Sequence, residues 1–325
     1  MFWEGKKVCV AGGAGFVGSH LCEELMAQGA VVTILDDYQR GKNIPDGVYA
    51  IRKGDATKLY DCQAAFTGKF AVFNLAAAVG GVYYNIGHQA EMFWWNVQLQ
   101  TVPAMVAAQM RVPIFLNVSS VCVYGADYNH PAIEECGHFG GPEKANEGYA
   151  WGKRMGERVT RWAFEGADTK YVIVRPSNIF GPCDYYDEKA HVIPALIKKF
   201  TDGRETVEVF GGSQTREFLY VTDAAKGMMF VAEHGESGEA YNLGTGGKTV
   251  ITIADLAKQI RYLATKTTKG WPEIEFVSDR PTGDARRFTD SSKIRALGWK
   301  HEVGLAEGLR ATIDDWLGRS ADGQE

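Results

Sequence analysis

Two short runs carry the reactive side chains of this sequence: Ser119-Ser120-Val121-Cys122-Val123-Tyr124-Gly125 and, further on, Tyr149-Ala150-Trp151-Gly152-Lys153. Tyr149 and Lys153 are four residues apart, so on a helix they share one face. An ammonium beside a phenol lowers the phenol pKa from its usual value of roughly 10 towards neutrality. Tyr149 then becomes an acid–base for a substrate hydroxyl, and Ser120 can hydrogen-bond the same oxygen. These groups suit hydride transfer at a secondary alcohol. Cys122 has no part in that chemistry: it is either a small buried hydrophobe or a second reacting group.

The elements that must position them begin with the apolar run Lys7–Ala11, then Gly12-Gly13-Ala14-Gly15-Phe16-Val17-Gly18, then an amphipathic stretch from Phe16 to Gln28. A strand, a glycine turn and a helix N-terminus in that order suit the pyrophosphate of a dinucleotide. Gly12, Gly15, Phe16, Val17 and Gly18 are the expected contacts. The next apolar run, Val31–Leu35, leads to Asp36, an acid that accepts hydrogen bonds from an adenosine ribose and repels a 2′-phosphate. That favours NAD, with Arg40 close enough to keep NADP as the lesser alternative. Asp55 and Ala56 follow the run Tyr49–Arg52, where the acid either contacts adenine or is a solvated loop residue. Leu75, Ala76 and Ala77 follow Asn74 at the end of the fourth run and would flank the cofactor, with Lys153 on its nicotinamide ribose.

Runs at Ile114–Val118 and Tyr171–Val174 continue the series, with helical stretches between. Apolar strands alternating with helices predict a parallel sheet covered on both faces. Helices are expected over His88–Met110, kinked or split by Pro103, and over Asn146–Glu165. Beyond Pro176 the pattern predicts helices at His191–Thr201, Asp223–Glu233, Ile253–Ala264 and Leu305–Leu317, and a strand at Val207–Phe210. The expected fold class is α/β: a Rossmann-type doubly wound parallel sheet with a smaller α/β substrate-binding lobe. Residues 1–178 form the NAD-binding domain, with 212–236 returning to it. Residues 179–325 form the lobe from separate segments, with the substrate between the two.

The chain has 325 residues, 45% hydrophobic and 23% charged, ordinary globular composition. A net charge of −5 argues against a general nucleic-acid binder. Six scattered cysteines without metal-type spacing read as free thiols in a reducing compartment. Residues 70–90 lack Asp, Glu, Lys and Arg, but Asn74, Gly80, Gly81, Asn85 and His88 interrupt them, so no membrane span is expected. A cytoplasmic location is the expectation.

The glycine loop, Asn74-Leu75-Ala76-Ala77, Ser120, Tyr149 with Lys153, Arg175-Pro176-Ser177-Asn178-Ile179-Phe180-Gly181-Pro182 and Arg216-Glu217-Phe218-Leu219-Tyr220-Val221-Thr222-Asp223 together resemble the extended short-chain dehydrogenase/reductases that modify nucleotide sugars. Val79-Gly80-Gly81-Val82, Cys122, and His191 opening His191-Val192-Ile193-Pro194 look like the GDP-L-fucose synthase and GDP-mannose 3,5-epimerase branch. The resemblance implies that Gly80, Gly81, Val82, Asn178, His191, Arg216 and Arg287 meet a nucleotide-diphosphate sugar, the arginines gripping phosphate. It further implies a homodimer formed by the two long helices. Trp94, Trp95 and Trp151 fall on those helices, where they serve either that interface or the core.

Oxidation of a hexose at C4 acidifies the hydrogens at C3 and C5, so inversion there needs a base on one face and an acid on the other. Cys122 as base and His191 as acid would supply them, or else stand idle as a buried thiol and a helix-end residue. Three other activities stay open: a 4-epimerase using Ser120, Tyr149 and Lys153 alone; an epimerase-reductase of the fucose synthase type; and a non-catalytic dinucleotide sensor. A dehydratase fits less well, because its expected Asp-Glu pair is Val121-Cys122 here.

Overall fold

The computed structural model describes residues 1–128, 131–265, 270–278 and 283–321. The first half alternates as read: β1 (Lys7–Ala11), α1 (Phe16–Ala27), β2 (Val31–Asp36), β3 (Ala50–Lys53), α2 (Leu59–Phe66), β4 (Ala71–Asn74), α3 (Val82–Gly87), α4 (Gln89–Gln109), β5 (Ile114–Val118), α5 (Glu147–Ala163) and β6 (Lys170–Pro176). The chain continues through β7 (Asn178–Phe180), α6 (Val192–Thr201), β8 (Thr206–Phe210), β9 (Thr215–Tyr220), α7 (Val221–His234) and β10 (Ala240–Leu243). It ends with β11 (Val250–Thr252), α8 (Ile253–Ala264), β12 (Glu273–Val277), β13 (Arg286–Arg287), α9 (Ser292–Ala296) and α10 (Leu305–Ala321).

Seven parallel strands form one sheet in the order β10-β6-β5-β4-β1-β2-β3. All their carboxyl ends therefore share an edge, the crevice in which open α/β sheets hold ligands. The core of this sheet also takes in Leu219, Ala224, Met228, Tyr241, Leu243, Ile294 and Trp299. A second core gathers Phe180, Ile193, Ile197, Val207, Val209, Phe218, Leu256, Ile260 and Ile313 from the later segments. There β9 pairs with β7 and β13 in parallel and with β11 in antiparallel, while β8 pairs with β12. Among the described residues, no helix is long and apolar enough to cross a membrane.

Pro103 does not split α4, which runs unbroken from Gln89 to Gln109. Proline removes the N–H that would bond the carbonyl four residues back. That carbonyl, on Leu99, accepts instead from Asn74 Nδ2 at 3.0 Å, so the helix continues without an orphaned group.

Gly148, Gly152 and Gly156 form a stripe on α5 that lets it approach α4 closely. A Cβ on Gly152 would lie 2.6 Å from Asn96 Cβ, and one on Gly156 would lie 2.4 Å from Gln100 Cβ. Asn96 and Gln100 in turn grip the strand-end loop: Asn96 exchanges two hydrogen bonds with Ala78, and Gln100 donates to Ala76 O. Gly156→Ala should therefore act as overpacking and destabilise by about 1–3 kcal/mol. Urea unfolding measures this, and an unchanged midpoint would contradict it.

Candidate active site

The carboxyl edge of the sheet brings the cofactor residues together. Gly12 has φ +78°, and a Cβ there would meet Ala76 N at 2.9 Å, so only glycine closes this turn against the end of β4. A Cβ on Gly18 would fall 2.1 Å from Gly12 O. Gly15 caps α1 without a side chain, leaving the positive end of the helix approachable. This cradle fits a dinucleotide pyrophosphate. Asp36 accepts from Ala14 N (3.0 Å) and Tyr38 N (2.9 Å), which ties its carboxylate to the glycine loop. Burial raises its pKa, and those two N–H groups oppose the rise. Arg40 donates to Val79 O at 2.7 Å and Asp187 Oδ1 at 3.0 Å, with its guanidinium over the Tyr185 ring. Asp55 sits just past β3 with its carboxylate on Thr57 N, followed by buried Ala56. Leu75 N bonds Ala11 O, which holds Leu75, Ala76 and Ala77 alongside the glycine turn.

At the end of β5, Ser120 Oγ caps a 3-10 turn at Val121–Val123 by accepting from Cys122 N at 3.1 Å. Ser120 also hydrogen-bonds the Tyr149 phenol. Lys153 is buried and donates to Val118 O at 2.7 Å. The expected lowering of the phenol by lysine is not what the structure gives. Burial, then the neighbouring Cys122, push Tyr149 above its usual range, and the Ser120 hydrogen bond only partly opposes them. Lys153 takes the change instead: burial pulls it down to about 7 against the pull of Cys122 and Glu157.

Beneath this pair lies a buried network. Glu157 receives two hydrogen bonds from Arg175 (2.8 and 2.7 Å), one from Ser119 Oγ (2.5 Å) and one with His138 Nε2 (2.8 Å). Burial alone would raise this carboxyl, but Arg175 and His138 hold it well below the carboxylate range.

Cys122 is half-buried, and Arg287 Nη1 donates to its Sγ at 3.4 Å. Arg287 and Arg216 are register partners on β13 and β9, so their side chains emerge together. Arg287 also donates to Asp284 Oδ2 (2.9 and 2.6 Å) and Glu143 Oε2 (3.3 Å). Burial, then Arg287, lower Arg216 to about 10, and it donates to Asp284 O at 2.7 Å. Asn178 donates its amide to Glu217 O at 2.8 Å, joining β7 to β9. The buried Glu217 carboxylate receives N–H and O–H bonds from both Thr245 and Thr289, and the Gly247 N–H.

Gly80, Gly81 and Val82 lie between two walls. Gly81 N bonds Lys189 O, and a Cβ on Gly81 would strike Ala190 O at 2.6 Å. Val82 faces Gly283, whose other neighbours are Arg216 and Glu143. His191 caps α6 beside the first wall, and Cys122 belongs to the second. His191 is exposed to solvent. Desolvation, then Arg40, push it down to about 4, against Asp187. Trp94, Trp95 and Trp151 are 62%, 41% and 37% exposed, which places them on the surface and not in the core.

Several residues of this site carried no sequence signal. Glu143 and Asp284 are ordinary acids in loops, and Tyr185, whose hydroxyl accepts from Phe16 N–H at the glycine loop, sits in an irregular segment. Asp284 alone had a cue, its three-residue spacing from Arg287.

A Rossmann-type sheet with a glycine cradle and a Ser-Tyr-Lys set defines a dinucleotide-dependent short-chain dehydrogenase/reductase fold. The model of the NAD dependent epimerase/dehydratase family matches residues 8–244, and the chain belongs to that family. GDP-L-fucose synthase 1 of Arabidopsis thaliana is 31% identical over 320 residues, covering 96% of this chain and 93% of the relative. Human dTDP-D-glucose 4,6-dehydratase is 30% identical over 324 residues, covering 95% and 89%. The UDP-glucose 4-epimerase of Thermus thermophilus, solved in complex with NAD, superposes with a TM-score of 0.83 at 26% identity, covering 96% and 99%. The chain is thus similar to enzymes of three different outcomes on nucleotide sugars.

The depressed histidine gives a direct test. Without ligand, the His191 imidazole should titrate near 4 by NMR, and a diphosphate-bearing nucleotide should raise that midpoint by placing negative charge in the cleft. A ligand-free midpoint above 6 would refute the description.

Proposed function

We propose that this protein is an NAD-dependent nucleotide-sugar epimerase, acting on a GDP-hexose through a transient 4-keto intermediate with proton exchange at C3 or C5. The observation that carries this is Cys122, held by its own N–H on Ser120 Oγ and by Arg287 at its sulfur, next to the Ser120–Tyr149 hydroxyl pair. A thiol in that place has no duty in oxidation and return at C4 alone, and it stands where a dehydratase would need its acid pair.

The dinucleotide, when bound, supplies the hydride acceptor. Gly12, Gly15, Phe16, Val17 and Gly18 hold its pyrophosphate, and Asp36, Asp55 and Ala56 meet its adenosine half. Leu75, Ala76, Ala77 and Lys153 flank the nicotinamide side. NAD over NADP is supported by Asp36 facing the loop and by Arg40 being committed to Val79 and Asp187. Tyr149 exchanges the proton of the C4 hydroxyl while Ser120 orients that oxygen. Lys153, poised to titrate near neutrality, supplies positive charge as the phenol proton leaves. Cys122 takes the carbon-bound proton: the C–H bond breaks, its electron pair enters the enolate, and an S–H bond forms. His191, across the Gly80–Gly81–Val82 loop, returns a proton to the other face once the anionic substrate has raised its pKa. Asn178 and Arg216 line the sugar-diphosphate side.

A tightly held NAD favours internal reoxidation, and so epimerisation over the net reduction of a fucose synthase. The exposed Trp94, Trp95 and Trp151 on α4 and α5 support a homodimer through those helices, and the free thiols support a cytoplasmic setting.

Incubation with GDP-hexoses in deuterated water should place label at C3 or C5, and Cys122→Ser should abolish it while sparing oxidation at C4. Turnover without carbon-bound label would leave a 4-epimerase. Net consumption of added NADPH would indicate the reductase. Dinucleotide binding without turnover of any sugar would leave a sensor. Affinity should favour NAD over NADP by about tenfold or more, which calorimetry measures.

A further inference from the structure

We propose that Arg287 serves the Cys122 sulfur and not the substrate diphosphate: it is the positioning residue that offsets negative charge on this sulfur and aims it. The inference rests on the proton-exchange role proposed for Cys122. Its geometry is that of a cation wedged between two kinds of acceptor. Along one edge, Nε and Nη2 donate to Asp284 Oδ2, and Nη2 also reaches Glu143 Oε2. At the other edge, Nη1 donates to Cys122 Sγ at 3.4 Å, within sulfur hydrogen-bond range.

A guanidinium is a planar fork, so fixing one edge on carboxylates aims the other. The two carboxylates also make the burial of Arg287 tolerable, since an isolated charge would not stay at 7% exposure. Burial works against its charge, but Cys122, Asp284 and Glu143 more than restore it. The same two carboxylates would repel a diphosphate brought to that edge. Arg216, its register partner, contacts the backbone of Asp284 and Thr215 and stands beside Gly283 and Val82 at the cleft wall. The pair emerging from β9 and β13 therefore divides its work, Arg216 towards the phosphates and Arg287 towards the sulfur.

The other charged or titratable groups acting on or with the sulfur are Arg216, Tyr149 and Lys153. Arg287 donates a hydrogen bond to it. When Cys122 takes a proton from carbon, negative charge leaves sulfur for the enolate oxygen; it returns to sulfur, beside Arg287, when the S–H proton passes to solvent.

The test is alkylation of the full-length protein with iodoacetamide, with the Cys122-containing peptide followed by mass spectrometry. The deep thiols Cys9 and Cys62 are pushed up to about 12 by burial and serve as slow internal references. In Arg287→Gln, Cys122 should alkylate about tenfold more slowly near pH 7 and recover to wild-type rate near pH 9. Arg287→Lys, which keeps the charge but loses the fork, should alkylate more slowly than wild type and faster than Arg287→Gln near pH 7. GDP affinity should stay within about threefold in Arg287→Gln and fall by about tenfold in Arg216→Gln. Wild-type alkylation in Arg287→Gln near pH 7, or faster alkylation at both pH values, would overturn the proposal. So would a tenfold loss of GDP binding in the same variant. If Arg287→Gln fails to fold, as circular dichroism would show, alkylation of Arg287→Lys at the wild-type rate near pH 7 overturns it equally. These readouts need no sugar turnover, so failure of the epimerase proposal is seen separately, in the deuterium experiment.

Discussion

The close packing of α5 on α4 is the constraint on which the site depends. The glycine stripe at 148, 152 and 156 sets the separation of the two helices, and the residues that follow each glycine are Tyr149, Lys153 and Glu157. The depth at which these three reach under the sheet edge is thus fixed by an absence of side chains on the adjoining face. The same contact presses Asn96 and Gln100 onto Ala76 and Ala78, and Ala76 lies against the Gly12 turn. One continuous run of contacts connects the acid–base helix to the cofactor cradle. The placement of the Tyr149 phenol relative to the Gly12 turn is a property of this packing more than of any single hydrogen bond.

Electrostatically, the site is governed by burial first and by pairing second. Where a partner is complete, as in Glu157 with Arg175, His138 and Ser119, the charge survives full desolvation. Where it is incomplete, the group is driven towards neutrality: Lys153 down to about 7 and His191 down to about 4. The groups that must change protonation during a reaction are those left incompletely paired, whereas the scaffold groups are saturated.

Much of this was legible in the sequence, because the relevant signals are local. A strand–glycine–helix turn, an acid after the second strand, and a Tyr-x-x-x-Lys on a helix are each defined by neighbours in the chain. The helix Ile253–Ala264 and most strands of the large sheet fell where periodicity put them. What could not be read depends on distance. β10, at Ala240–Leu243, joins the large sheet after the chain has left it, and β13 has only two residues. Pro103 looked like a break because the donor that compensates for it, Asn74, is 25 residues upstream of the orphaned carbonyl. The phenol was expected to be lowered by lysine because spacing says nothing of burial, and burial decided the sign. Glu143 and Asp284 became visible only when β13 was seen beside β9.

Glu217 shows how far such a site extends. It sits between Arg216 and Phe218 on β9 and never reaches the cleft, yet its two oxygens anchor Thr289, two residues past Arg287, and the Thr245–Gly247 bend. The spacing between a guanidinium and a sulfur atom is therefore set from behind, by a carboxylate acting as a rivet between strands. A change at buried Glu217 would thus shift the guanidinium against the sulfur without altering either side chain.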